Sequence, residues 1–135
     1  MSTEGRLYGA DLYTWVSMDG DEVTIGFTNY SCERMEEMVA VELKQPGEEI
    51  RQGEPCGQVD VMKALIDIPA PISGIVLAVN PEAVDAPDMI REDPFGKYWL
   101  LNVRATSPAE LDGLVSEAEY AARTAPKPDA GLRLL

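Results

Sequence analysis

The chain has 135 residues, of which 24 are acidic and 11 basic, and its formal net charge at pH 7 is −13. This length fits one domain that buries its own core. The acidic surface argues against nucleic acid and membranes as partners, because both bind clustered Lys and Arg. Histidine is absent, which excludes catalytic triads with histidine and His-based zinc sites. With no phosphate-binding loop, signal peptide or bilayer-spanning run, we expect a cytoplasmic protein without a catalytic or metal site.

The sequence pattern predicts short strands separated by turns over most of the chain, as in a mainly β protein. The predicted strands lie at residues 15–18, 23–27, 39–43, near 50, 59–68, 75–79 and 98–103. Asp19-Gly20, between the first two, is the strongest local signal of a β-hairpin. Thr28 is suited to cap a short helix that reaches about Met35. One or two helical turns are expected at 87–91.

The C-terminal part is predicted to be helical. Ser107 and Glu110 form a capping box with Pro108 at the first helical position. Apolar residues at 111, 114, 115 and 118 then follow at helical spacing. A second capping box begins at Ser116, so a kink or a new helix is expected there. From Thr124 the chain has no pattern, and we expect one domain over residues 1–123 and a flexible tail over 124–135.

The two cysteines, Cys32 and Cys56, do not have CxxC spacing. We expect small, partly buried thiols in a reducing cytoplasm, as free cysteines usually are. A redox or partner-binding role for one of them is the less favoured alternative.

Lys63 stands in the middle of the apolar stretch 59–68. One continuous strand or helix there would place a hydrated ammonium group among core-facing neighbours. A turn at Met62-Lys63, with arms at 59–61 and 64–68, avoids this and projects the lysine toward another protein. The alternative is a surface lysine whose stem lies along a strand or short helix. The lysine taken alone favours that alternative.

The residues around Lys63 resemble the lipoyl attachment site of the glycine cleavage system H protein. The family pattern Glu-Ser-Val-Lys-Ala corresponds to Asp60-Val61-Met62-Lys63-Ala64. The family's continuation Asp-Ile-x-Ala-Pro-x-Ser-Gly corresponds to residues 67–74, which end at Gly74. Similarity continues in order over roughly residues 8–123 and includes Trp15 and Trp99.

The resemblance implies a flattened β barrel-sandwich hybrid, the H-protein type of lipoyl domain, with short helices and a C-terminal helix. It implies lipoate in amide linkage to Lys63, attached by a lipoate ligase or by an octanoyltransferase with lipoyl synthase. The arm would swing between partner enzymes, so the protein is a non-catalytic carrier in a multi-enzyme system. The residues implied to form the turn and to be recognised by the lipoylating enzyme are Asp60, Val61, Met62, Ala64 and Gly74.

Substitutions beside the arm bear on the pathway: Tyr13-Thr14 replaces the family's His-Glu, and Val61-Met62 replaces Ser-Val. Similar lipoate-binding proteins work with a heterodisulfide-reductase-like complex, and the substitutions favour that role, in which the arm carries sulfur intermediates during sulfur oxidation. The alternative is the glycine cleavage system, where the carrier shuttles the aminomethyl group between the glycine cleavage enzymes. An unmodified interaction module and a small carboxylate hydrolase are alternatives of other classes. The retained Lys63, Asp60 and Gly74 argue against the module, and the missing histidine argues against the hydrolase.

Overall fold

The structure is a computed structural model that describes residues 6–35, 37–62 and 64–125. Within these ranges the strands are β1 (Leu7–Tyr8), β2 (Thr14–Asp19), β3 (Glu22–Phe27), β4 (Ala40–Leu43), β5 (Glu49–Ile50), β6 (Pro55–Asp60), β7 (Leu65–Pro69), β8 (Gly74–Val79) and β9 (Leu101–Ala105). The α-helices are α1 (Asn29–Arg34), α2 (Pro81–Asp85) and α3 (Glu117–Thr124), and 3₁₀ helices cover Pro87–Glu92 and Pro108–Gly113.

The strands form two antiparallel sheets. One has six strands in the order β1-β2-β3-β9-β8-β5, and the other has three in the order β4-β6-β7. A single buried cluster takes apolar side chains from both sheets, among them Ile25 and Val103 from the larger and Val59 and Ile68 from the smaller. This confirms the predicted mainly β, sandwich-like architecture. No strand pairing among the described residues joins the two sheets, so hydrogen bonds do not close the flattened barrel.

The predicted first hairpin and first helix cap are confirmed. β2 pairs with β3 so that Asp19 lies opposite Glu22, and Gly20 is the first residue of the two-residue turn. The φ of Gly20 is +66°, a conformation that glycine adopts without steric cost. At the end of β3, the Thr28 hydroxyl accepts a hydrogen bond from the backbone N–H of Ser31 (3.1 Å) and caps α1.

The first C-terminal capping box was predicted wrongly. Ser107 makes no side-chain cap. Glu110 instead accepts hydrogen bonds from the backbone N–H and the hydroxyl of Ser73, at 2.6 and 2.8 Å. The segment is a short 3₁₀ helix, and Val115 then forms an extended bridge with Tyr8. A tertiary contact with a distant residue outweighs the local helix signal, so the apolar residues at 111–118 do not share one helical face.

The predicted new helix at Ser116 is confirmed, since the Ser116 hydroxyl accepts from the Glu119 backbone N–H (3.2 Å) and caps α3. Only this half of the second capping box forms, because the Glu119 carboxylate bonds to Arg123. The Tyr120 ring of α3 stacks on the Tyr8 ring of β1, with centroids 3.9 Å apart. α3 includes Thr124, the first residue of the predicted tail. Residues 126–135 of that tail lie outside the described residues.

The last strand begins three residues later than predicted. The Asn80 side-chain amide donates to the carbonyls of Lys97 and Trp99, both at 2.8 Å, and these bonds hold the segment before Leu101 as a loop. Tyr98 and Leu100 there are buried without being part of a strand. No helix in the described ranges is long and apolar enough to cross a membrane.

Candidate functional site

The candidate site is the connection between β6 and β7, residues 61–64. The two strands pair in register from Gly57 opposite Ile68 to Asp60 opposite Leu65. The backbone N–H of Val61 donates to the carbonyl of Ala64 at 3.0 Å and closes the connection. The predicted strands on either side of Lys63 are therefore confirmed. Lys63 itself lies outside the described residues.

Asp60 and Met62 shape this turn. Met62 has a φ of +79°, in the left-handed region, where a Cβ crowds the following carbonyl at a cost of about 1–2 kcal/mol. The Asp60 Oδ1 atom accepts a hydrogen bond from the Met62 backbone N–H at 3.1 Å, which stabilises the turn. Because the turn has no Gly or Asn, its left-handed residue could not be located from the sequence. The one available signal was an aspartate two residues before Met62.

The side chains around the turn differ in exposure. Met62 and Leu65 are each 63% exposed, and Ala64 is exposed as well. Val61 is only 6% exposed and packs in the core. Of the two apolar replacements in the motif, Met62 therefore adds apolar surface beside Lys63, and Val61 does not.

Gly74 lies apart from the turn, at the start of β8 in the other sheet. A Cβ at this position would lie 2.5 Å from the Arg104 carbonyl oxygen. Glycine is required there because the backbones of β8 and β9 approach closely. The structure thus brings Asp60, Val61, Met62 and Ala64 together, and it places Gly74 in the packing of the larger sheet.

The Tyr13-Thr14 pair lies at the opposite end of the β6–β7 hairpin from the turn. Thr14 lines a cleft of about 430 Å³ together with Glu110 and Pro69, and Pro69 is the last residue of β7. Thr14 is 1% exposed, and its Oγ1 atom makes no hydrogen bond within the described part of the chain. The two substituted pairs that were predicted to lie beside the arm, Tyr13-Thr14 and Val61-Met62, therefore occupy two separate places in the fold.

Both cysteines are buried, Cys32 in α1 and Cys56 in β6. Burial raises the pKa of each thiol to about 12. The thiols therefore stay protonated near neutral pH, and a protonated, buried thiol is a poor nucleophile.

The sequence profile of the glycine cleavage H-protein family matches residues 7–127. The chain belongs to this family. The glycine cleavage system H protein of Alkaliphilus oremlandii is 42% identical over 117 residues, which cover 87% of this chain and 91% of that protein. The H protein of Magnetococcus marinus is 37% identical over 122 residues, 90% of this chain and 87% of that protein. A crystal structure of an H protein from Mycobacterium marinum is similar at a TM-score of 0.78 and 36% identity, and the match covers 88% of this chain and 95% of that one.

Proteins of the H-protein family carry lipoate on a lysine and are non-catalytic components of a multi-enzyme system. Membership in this family confirms the predicted type of carrier. The relatives favour the glycine cleavage alternative. The sulfur-oxidation assignment, predicted from Tyr13-Thr14 and Val61-Met62, finds no support among them.

Proposed function

We propose that Lys63 carries the lipoyl group and that the chain is the lipoyl carrier of a glycine cleavage system. The observation that supports this is the closed turn at the tip of the β6–β7 hairpin, with exposed residues on both sides of Lys63. The two lysines that the structure describes, Lys44 and Lys97, lack this setting. Lys44 directly follows β4, Lys97 lies in a loop within 3.4 Å of the Glu82 carboxylate, and Lys127 lies outside the described residues.

The residues around the turn fit an amide-linked arm. Met62 and Ala64, the neighbours of Lys63 in the sequence, are exposed, which is consistent with modification by an enzyme at this turn. Val59 and Ile68 anchor the two strands in the core, and a rigid hairpin presents its tip in a fixed position. When attached, the lipoyl group supplies a dithiolane whose two sulfurs undergo thiol–disulfide exchange. The protein itself supplies position and a docking surface.

The proposed partners are a lipoylating enzyme and the glycine cleavage enzymes. The lipoylating enzyme is a lipoate ligase, or an octanoyltransferase acting with lipoyl synthase. The names of the relatives support the glycine cleavage enzymes. A net charge of −13 favours partners with basic faces and makes their association sensitive to salt.

Two variants test the attachment site and the pathway. The wild type, Lys63→Arg and Lys97→Arg are incubated with lipoate, ATP and a lipoate ligase, and the products are mapped by peptide mass. We expect a lipoyl group on Lys63 in the wild type and in Lys97→Arg, and none in Lys63→Arg. The products are then given to glycine decarboxylase with glycine, and carbon dioxide exchange is followed. A lipoyl group on another lysine would reject the site, and lipoylated wild type that supports no exchange would reject the pathway.

A further inference from the structure

A groove of about 500 Å³ runs along the outer face of the three-stranded sheet, beside the turn. Its lining includes Ala40, Glu42, Gln58, Asp60, Leu65 and Val84, and we term it the outer groove. The register places Ala40, Asp60 and Leu65 side by side across β4, β6 and β7. Alternate residues of a strand face opposite sides, so these side chains point away from the core that holds Val59.

Apolar side chains are exposed at the outer groove. Two of the six large apolar side chains that are exposed among the described residues, Leu65 and Val84, line it. Met62, which is 63% exposed, lies on the adjoining turn, where Asp60 Oδ1 accepts its backbone N–H. Exposed apolar surface with a polar rim is characteristic of a binding surface.

Carboxylates border this apolar surface. Glu42 and Asp60 line the outer groove, and Asp67 lies beside Gln58 in the same row of the sheet. No Lys or Arg of the described residues lines the outer groove. None of the four ion pairs within the described ranges includes Glu42, Asp60 or Asp67. This arrangement is complementary to a protein face that has an apolar side chain within a rim of Lys or Arg.

The outer groove is lined by Asp60 and Leu65, the strand residues on either side of the turn at 61–64, and this position favours one kind of partner. An enzyme that acylates Lys63 must bring an activated acyl group to the lysine nitrogen, so its surface must cover the neighbouring residues. In that step the nitrogen bonds to the acyl carbon, the leaving group departs from that carbon, and the amine releases a proton. Enzymes that act on the dithiolane react many bonds away from the lysine nitrogen, so their chemistry does not require contact with Leu65 or Glu42.

We propose that the outer groove is the docking surface of the lipoylating enzyme. An apolar side chain of that enzyme packs against Leu65 and Val84, and its Lys or Arg side chains lie against Glu42 and Asp60. This inference rests on the proposed attachment of lipoate to Lys63.

Two pairs of variants test the outer groove. Leu65→Asp is matched by Met18→Asp, an exposed methionine on β2, and Glu42→Lys is matched by Glu22→Lys on β3. Each unmodified protein is incubated with lipoate, ATP and a purified lipoate ligase, and the product is quantified by intact mass. We expect kcat/KM to fall about tenfold or more in both groove variants, mainly through KM, and to stay within about twofold in both controls. Thermal melts verify that all four variants fold.

The outcomes separate this inference from the proposed function. Wild-type protein that takes up no lipoate at Lys63 overturns both. Wild-type protein that is lipoylated, with groove variants that react as fast as their controls, overturns the outer groove alone. Lipoylated Leu65→Asp should support glycine–carbon dioxide exchange within about twofold of the wild type. Normal lipoylation with a large loss of exchange would assign the groove to the decarboxylase and overturn the inference.

Discussion

The carboxylate of Asp60 accepts a hydrogen bond from the backbone N–H of Met62, at 3.1 Å, immediately before Lys63. Asp60 thus contributes in two separate ways: its hydrogen bond fixes the turn geometry, and its carboxylate places a negative charge at the outer groove. The two can be distinguished, because an asparagine keeps an acceptor oxygen and loses the charge.

We expect Asp60→Ala to lower the free energy of unfolding by about 1 kcal/mol, the usual net value of one hydrogen bond. Asp60→Asn should stay within about 0.5 kcal/mol of the wild type. Both should be lipoylated several-fold more slowly, because both lose the charge that faces a basic partner. Urea unfolding and ligase kinetics provide the two readouts. Equal destabilisation by both substitutions would show that the hydrogen bond does not stabilise the turn.

The left-handed backbone of Met62 predicts an unusual response to glycine. Met62→Gly should raise the free energy of unfolding by about 1 kcal/mol relative to Met62→Ala, because glycine has no Cβ to crowd the carbonyl at a φ of +79°. Met62→Val should be less stable than Met62→Ala by a similar amount, because a β-branched residue fits that region poorly. Denaturant melts of the three variants give the comparison. Alanine and glycine variants of equal stability would contradict the strain.

Gly26 lies against the indole of the buried Trp15. A Cβ on Gly26 would come within 2.6 Å of the Trp15 Nε1 atom, which donates a hydrogen bond to the Pro94 carbonyl at 3.1 Å. We expect Gly26→Ala to cost about 1–3 kcal/mol through overpacking and to change the near-ultraviolet circular dichroism of tryptophan. Gly113→Ala is the matched control, because a Cβ at Gly113 has no neighbour within 4 Å, and its effect should be within about 0.5 kcal/mol.

The two buried thiols make stability depend on alkaline pH. Burial raises the pKa of Cys32 and Cys56 from the usual value near 9 to about 12. Above about pH 9 the unfolded chain loses these protons and the folded chain keeps them, so their stabilisation is complete below pH 9 and is lost as the pH rises toward 12. Each thiol adds a slope of up to about 1.4 kcal/mol per pH unit.

The double variant Cys32→Ala, Cys56→Ala isolates this effect. Between about pH 8 and pH 10, the wild type should lose about 3 kcal/mol more of its free energy of unfolding than the double variant. Urea titrations at both pH values measure the difference, and the other titrating groups cancel in it. Identical losses in the two proteins would mean that the thiols ionise equally in the folded and unfolded states.

Local chemistry was sufficient to predict some elements and not others. Gly20, Thr28 and Ser116 satisfy backbone needs within a few residues, and the structure confirms each of them. Ser107 failed as a cap because Glu110 bonds to Ser73, a partner that is remote in sequence. The capping-box pattern is local and does not indicate that Glu110 bonds to a residue so far away in the sequence.

The same distinction applies to the site. The turn at residues 61–64 followed from a lysine in an apolar stretch and from the family motif. The outer groove could not be predicted, because it needs β4, β6 and β7 in register and Val84 of α2 beside them. The exposure of Leu65 likewise depends on which sheet face is covered.

The two strand orders have a consequence for folding kinetics. All strands of the small sheet lie within residues 40–69. In the larger sheet, β3 pairs with β9, which comes much later in the chain, as in the pairing of Val23 with Val103. Contacts that are close in sequence form first, so the hairpin that ends at the turn should be complete while the β9 edge of β3 is still unpaired. Pulsed hydrogen exchange should protect amides of β6 and β7 before those of β9, and simultaneous protection would contradict this order. A chain that is still being synthesised would thus form the turn at residues 61–64 before its six-stranded sheet is complete.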